Sequence, residues 1–272
     1  FSMNILEAVE KKYPSLSRQE RKIALKVIQH PSQVKKMSIG LLAKKAEVST
    51  ATVTRFVKKM GCQDFSEFKL GLAEATSTIT EDVGNAPLPD QVTNFYNQMI
   101  TGTWKKINQT ALDEAVQLIK NAPRIFVFGL GSSGYNAQEL SQRLLRMGIN
   151  AFAPADSHTM YITSSIMQSD DLVIVLSVSG NSAEVNEATK LAKEHQLKVI
   201  AITAFDDSPL ATMSDCKLFV QYSDFVDNTR FINSQLGIVY VIDVLSTMLL
   251  HDPDYKQHYQ QTVEAILSRK LR

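Results

Sequence analysis

The chain has 272 residues, 44% hydrophobic and 21% charged, with a formal net charge of +1, enough material for one sizeable α/β core and a smaller domain. Its 2 cysteines, Cys62 and Cys216, lie far apart without a CxxC pattern or neighbouring histidines, which argues against a disulfide framework, a zinc site or any other bound metal. No charged stretch leads into an apolar one, and the apolar runs break well short of the ~18 residues that a spanning helix needs, so a soluble, cytoplasmic protein with no membrane partner is expected. Phe1 and Ser2, ahead of Met3, read as tag residues.

The near-neutral charge hides a division. Residues 1–76 hold 14 Lys or Arg against 7 Asp or Glu, a balance of +7, while the remainder holds 15 against 21, or −6. A basic amino-terminal domain on an acidic body points to a polyanionic partner for the smaller domain.

Residues 3–76 read as helices throughout. Ser17 and Glu20 form a capping-box pattern ahead of Ile23, Val27 and Ile28, and that helix should stop before Pro31. Ser38 leads a short helix ending near Ala46. Val48 plugs a tight turn, and Ser49 caps a third helix from about Thr50 to Met60. Two short helices about four residues apart are the helix-turn-helix arrangement. Val53, Val57 and Met60 fall on the core side of the third helix, leaving Thr50, Thr52, Arg55, Lys58 and Lys59 outside or at its edges. Small polar residues at the start and cations later suit a helix that enters a major groove and meets flanking phosphates. Gly61 then stops the helix, Ser66 reads as the next cap, and Phe65 and Phe68 as core anchors.

Residues 76–89 are polar with two prolines and read as a linker. Helical periodicity resumes from Asp90 to Lys120, with apolar positions such as Phe95, Met99, Ile100 and Trp104 that pack on the body or on a second subunit. Beyond it strands and helices alternate. Strands are expected at 124–128, 151–152, 172–177, 199–203 and 218–221; helices at 135–147, 160–167, 183–194, 210–214 and, last, 231–251. This alternation predicts a parallel sheet flanked by helices, with ligands bound beyond the carboxyl ends of its strands.

Two of those ends stand out. Residues 126–135 read FVFGLGSSGY and residues 176–182 read LSVSGNS: apolar runs that stop at small residues bearing hydroxyls. Gly129, Gly131 and Gly134 permit positive φ or close backbone approach, and the helix that follows offers unpaired N–H groups and the positive end of its dipole to a phosphate. Ser132, Ser133, Ser177, Ser179 and Ser182 then make a hydrogen-bonding cradle without a fixed positive charge. A nucleoside triphosphate loop is unsupported, for GxxxxGK[ST] is missing. Asp156 stands where a dinucleotide fold wants its acidic residue, but the second serine loop is no part of that pattern. His158 and Glu184 lie where they can reach a ligand at that edge, and Arg230 is the cation expected nearest the site.

The two serine loops and their spacing resemble the SIS (sugar isomerase) domain, a phosphosugar-binding α/β module, over about residues 121–254. That resemblance implies that Ser133, Ser177, Ser179 and Ser182 hold a sugar phosphate; Ser182 stands where the family more often has Thr. Residues 38–69, SIGLLAKKAEVSTATVTRFVKKMGCQDFSEFK, resemble the helix-turn-helix of the MurR/RpiR regulators, a family that joins such a domain to an SIS domain in this order. The resemblance implies three segments: a DNA-binding domain over 1–76, linker and connector helix over 77–120, and an SIS domain over 121–272. It also implies double-stranded operator DNA and a sugar phosphate effector as partners, no cofactor and no catalytic residue, and a homodimer or dimer of dimers; the effector inclines to a 6-phosphorylated acylamino sugar. Ser49, Thr50, Thr52, Arg55, Lys58 and Lys59 are the expected DNA-binding set. The alternative is a phosphosugar isomerase, for which Glu184 and His158 would be the candidate bases.

Overall fold

The structure, a computed structural model, describes residues 5–77, 87–222 and 233–270. The chain divides into two compact units; it first crosses from one to the other between Phe95 and Tyr96, and among the described residues 233–234 also group with the first unit.

The amino-terminal unit is helical: α1 (Ile5–Lys12), α2 (Arg18–Gln29), α3 (Pro31–Val34), α4 (Ile39–Lys45), α5 (Thr50–Lys59) and α6 (Phe65–Ser77). Three of these start on a serine whose hydroxyl accepts a first-turn amide: Ser17 for α2, in a full capping box with Glu20, Ser38 for α4 and Ser49 for α5. Partial burial pushes the Glu20 carboxyl up, but hydrogen bonds from Ser17 and Lys59 outweigh it and hold the group below its ordinary value. At α6 the expectation fails. Asp64 is the cap, accepting from the amides of Ser66 (2.8 Å) and Glu67 (2.9 Å), while Glu67 reaches back to the amide of Gln63. A carboxylate beside the helix start takes that role ahead of a hydroxyl inside it, because it adds a favourable charge at the positive end of the dipole. Val53, Phe56 and Val57 of α5, Met60 at its end, and Phe68 and Leu72 of α6 close the core of this unit with Ile23, Val27 and Leu42. Phe56 is fully buried and meets Phe68 edge-on, 5.9 Å between ring centroids.

Next come α7 (Leu88–Lys106), within which the two units divide, and α8 (Gln109–Asn121), separated by a break at which Asn108 caps α8. The second unit is built on five parallel strands in the order β2-β1-β3-β4-β5, with β1 Ile125–Phe128, β2 Ala151–Phe152, β3 Leu172–Leu176, β4 Lys198–Thr203 and β5 Cys216–Phe219. Helices α9 (Ser132–Arg146), α10 (Ser157–Ser164), α11 (Ala183–Glu194), α12 (Pro209–Met213), α13 (Leu236–Leu249) and α14 (Pro253–Lys270) complete it. Side-chain alternation along β3 explains why both faces are covered. Leu172, Ile174 and Leu176 join a core with α8, α9 and α13, whereas Val173 and Val175 join another with α10, α11 and α12. A two-pronged Arg124–Asp171 pair (2.8 and 2.5 Å) ties the start of β1 to the turn before β3.

Several expected boundaries move. α9 starts at Ser132, three residues early, since Gly131 (φ +55°) turns the chain at once into the helix. α10 starts at Ser157, where Asp156 caps it. β5 lies two residues earlier than expected. The helix expected last is followed by another, α14, with proline at its first position. Residues 231–232 and Arg230 lie outside the described residues. Among the described residues no single helix is long and apolar enough to cross a membrane.

Cys216 donates to the carbonyl of Ala111 (3.3 Å), and burial, reinforced by Glu114 and Asp215, pushes its thiol up to about 12. Only thiolate reacts. At pH 8 the native protein should therefore leave Cys216 untouched by a chromogenic disulfide reagent, while the denatured protein titrates both cysteines; rapid native labelling at Cys216, mapped by peptide mass, would contradict the burial.

Candidate functional site

In the amino-terminal unit the geometry centres on the turn between α4 and α5. Val48 N–H donates to Ala43 O (3.0 Å) and Glu47 N–H to Lys44 O (3.2 Å), the paired bonds of a Schellman ending. Glu47 takes the left-handed position (φ +54°) that glycine usually fills, and Lys22 meets its carboxylate at 3.0 Å. Val48 packs on the core, as expected of a plug.

On α5 the buried residues Val53, Phe56, Val57 and Met60 leave a continuous exposed stripe of Thr50, Ala51, Thr54, Arg55 and Lys58. Ser49, Thr52 and Arg55 form a hydrogen-bonded chain along one flank: Ser49 Oγ to Thr52 Oγ1 at 2.9 Å and Arg55 to Thr52 Oγ1 at 3.4 Å. The Arg55 guanidinium is thus laid along the helix toward its first turn, beside Thr52. Ala51 and Thr54 were missed by the sequence reading; their spacing from Arg55 and Lys58, one turn each, was the available signal. Lys59 behaves differently. Its ammonium donates to Ser15 O (3.2 Å) and Glu20 Oε2 (3.3 Å), and Lys12 donates to its carbonyl, so it fastens α5 to the start of α2.

In the second unit β1 and β3 are neighbours, and the connections beyond their carboxyl ends are the two serine loops. The strand order reverses between these strands, and such a point leaves a crevice between loops that diverge to opposite faces of the sheet. In the first loop Gly131 supplies the positive φ and Gly129 the close approach, with Ser133 O passing 2.6 Å from where a Cβ would stand. Both serines thereby enter the first turn of α9, where backbone amides have no partner within the helix. Ser132 is exposed. Ser133 is buried, and its hydroxyl donates to Gln235 Oε1 (2.9 Å).

In the second loop Ser177 is buried and faces Ser182 hydroxyl to hydroxyl at 3.5 Å. Ser179 Oγ accepts the amide of Asn181 (3.2 Å), an arrangement that leaves the hydroxyl proton available to another acceptor. Gly180 (φ +63°) makes the bend, its carbonyl held by Leu210 N–H (3.2 Å) and Asn186 Nδ2 (3.0 Å). Ser182 sits at the cap of α11, yet its hydroxyl makes no bond to the amides of that helix.

Asp156, weighed above as a ribose ligand, instead accepts from the amide and hydroxyl of Thr159 (both 2.9 Å); these bonds hold its carboxyl below the usual range and commit it to α10. His158 is exposed in the first turn of α10, beyond the carboxyl end of β2. Glu184 is exposed in the first turn of α11.

The helix-turn-helix domain of the rpiR family matches residues 3–79, and the SIS domain matches residues 118–248. An HTH-type transcriptional regulator of Clostridium perfringens is 31% identical over 275 residues, 96% of each chain. The protein belongs to the RpiR family of transcriptional regulators. HexR of Pseudomonas aeruginosa, another HTH-type transcriptional regulator, is 29% identical to this RpiR-family chain over 274 residues, covering 97% of it and 96% of HexR. Among solved structures, Vibrio vulnificus NanR complexed with ManNAc-6P superposes with a TM-score of 0.62 at 26% identity, covering 97% of the regulator and 98% of NanR. The sugar isomerase domain of an RpiR transcription factor from Sphaerobacter thermophilus, 24% identical over 65% of the regulator with a TM-score of 0.61, shares the fold of the second unit.

Proposed function

We propose that this RpiR-family regulator binds double-stranded operator DNA through the exposed stripe of α5 and takes a sugar phosphate between its two serine loops as effector. The DNA-binding domain is assigned to residues 1–76, the linker and connector to 77–120 and the effector domain to 121–272. The observation that carries the effector reading is Ser182: a serine at a helix cap turned away from its own helix and toward Ser177 across the loop. Ser17, Ser38 and Ser49 stand at the same position of their helices, and each caps. A phosphate seated there receives the hydroxyls of Ser133, Ser177, Ser179 and Ser182 together with the open amides and dipole of α9. Ser132 lies at the rim, with His158 and Glu184 toward the sugar. The NanR complex favours a 6-phosphorylated acylamino sugar.

On α5, Ser49, Thr50, Thr52, Arg55 and Lys58 form the DNA-contacting set, to which Ala51 and Thr54 are added; Lys59 acts through its hold on α2. The protein is a sensor and not an isomerase. Its full-length relatives are named as regulators, and Glu184 and His158 stand in solvent, whereas a general base works where water is excluded. Two reading heads on a pseudo-palindrome require a homodimer or dimer of dimers, acting in the cytoplasm.

The test is a double dissociation. Ser177→Ala should lower the affinity for N-acetylmannosamine 6-phosphate or N-acetylglucosamine 6-phosphate more than tenfold, since a hydrogen bond to a charged group is worth ~1.5–3 kcal/mol, and leave operator affinity without sugar intact. Arg55→Ala should do the reverse, weakening binding to an operator selected from random duplexes by ~1–3 kcal/mol, the worth of a base contact. Calorimetry and fluorescence anisotropy read the two arms. Unchanged sugar affinity in Ser177→Ala, or turnover of the sugar at roughly 1 per second or faster, would overturn the reading.

A further inference from the structure

The first serine loop is tied to the opening turn of α13 by a buried hydrogen bond. Ser133 Oγ donates to Gln235 Oε1 at 2.9 Å, and Asn136 Nδ2 donates to the same oxygen at 3.3 Å. Both Ser133 and Gln235 are buried. Two residues on, Gly237 is pressed against α7: a Cβ there would lie 2.9 Å from Thr103 Oγ1 and 3.0 Å from both Gln221 O and Val220 Cβ. Thr103 is fully buried, and its hydroxyl accepts Gln221 N–H at 3.0 Å. One helical turn, residues 235–237, thus touches the first serine loop on one side and α7 on the other. α7 is the helix through which the chain passes from the amino-terminal unit into this one.

We infer that Gln235 is a positioning residue that couples effector binding to α7; the inference rests on the phosphosugar reading above. A serine hydroxyl has a single proton to donate. In the structure that proton goes to a neutral amide oxygen. A phosphate oxygen is an anionic acceptor whose hydrogen bonds are roughly twice as strong, so an arriving phosphate turns the Ser133 hydroxyl away from Gln235. Gln235 Oε1 then keeps Asn136 alone of these two donors. The turn it heads shifts, and α7, packed without a gap against Gly237, responds. The effector changes α7 only as far as it binds the two arrangements unequally, and this exchange of partners is where the inequality arises.

Hydrogen exchange on the full chain tests this, with N-acetylmannosamine 6-phosphate, N-acetylglucosamine 6-phosphate and inorganic phosphate as probes. In the wild type, a probe that protects residues 129–135 and 177–183 should also change exchange in residues 102–106. Gln235→Met, of similar length but with no oxygen to accept, should keep the loop protection and lose the change in α7. Thr103→Ala, which removes the side-chain atoms packed on Gly237 and leaves Ser133 and Gln235 in place, should do the same, and thermal melting confirms that each variant is folded. An α7 response that persists in both variants, or one missing from the wild type while the loops are protected, overturns the coupling. Loops protected by none of the three probes overturn the phosphosugar reading itself.

Discussion

Gly180→Ala is expected to abolish sugar phosphate binding while the amino-terminal unit keeps its affinity for DNA. At φ +63° any side chain is strained, and the Cβ would lie 2.2 Å from Ser208 Oγ, 2.5 Å from Ser208 Cβ and 3.0 Å from Thr203 Oγ1. Ser208 cannot simply swing aside, because its hydroxyl accepts Ala211 N–H at the start of α12 and donates to Phe205 O. The loop must move instead, carrying Ser179 and Ser182 from their places. With two hydroxyl contacts displaced, at ~1.5–3 kcal/mol each, affinity should fall by more than about a hundredfold. Backbone strain and overpacking should also lower stability by about 2–4 kcal/mol. Calorimetric titration and thermal melting measure both, and wild-type affinity in this variant would show that the loop does not hold the ligand.

Phe56→Ala should unfold the amino-terminal unit while the SIS unit still binds its effector. The ring is wholly buried beneath α5 and edge-on to Phe68. Truncating a buried phenylalanine costs ~3–5 kcal/mol, and a small domain has little more than that in hand. Operator binding should be lost at physiological temperature, calorimetry should show the lower-melting transition displaced or absent, and the sugar phosphate isotherm should be unchanged. Phe56→Leu, which refills most of the volume, should restore DNA binding. Operator affinity that survives Phe56→Ala would mean that α5 does not depend on this core for its shape.

Much of this was legible in the sequence, for reasons that vary by element. Ser17 with Glu20, and Ser49 ahead of its helix, were readable because a cap is a local event whose partners lie within three residues. The inner strands β1, β3 and β4 were readable because a sheet buried on both faces forces nearly unbroken apolar runs. Boundaries set by single backbone angles were not. Ser132 and Ser133 read as loop because nothing in GSSG announces that Gly131 turns into the helix one residue before them. The end of the sheet misled in the same way: Val220 continues the apolar pattern past β5, though the ladder stops at Phe219. The role of Lys59 was hidden for a different reason. Its partners, Ser15 and Glu20, are far away in sequence, and a lysine at the end of a recognition helix looks alike whether it faces phosphate or a neighbouring carboxylate. Gln235 is the same case at greater range, a polar residue whose meaning depends on Ser133.

Ser182 bears on how such a protein can change over generations. A serine that declines its own helix is locally frustrated, and capping that helix would add ~1 kcal/mol of stability. An aspartate at 182 is the simplest improvement on that scale, yet on the reading proposed above it would set a fixed negative charge where the effector's phosphate would sit. On that reading, drift toward greater robustness would lead to a regulator deaf to its signal, stuck in whichever state it occupies without sugar. On the proposed reading, a neutral hydroxyl at this place exchanges that increment of stability for a donor to the phosphate.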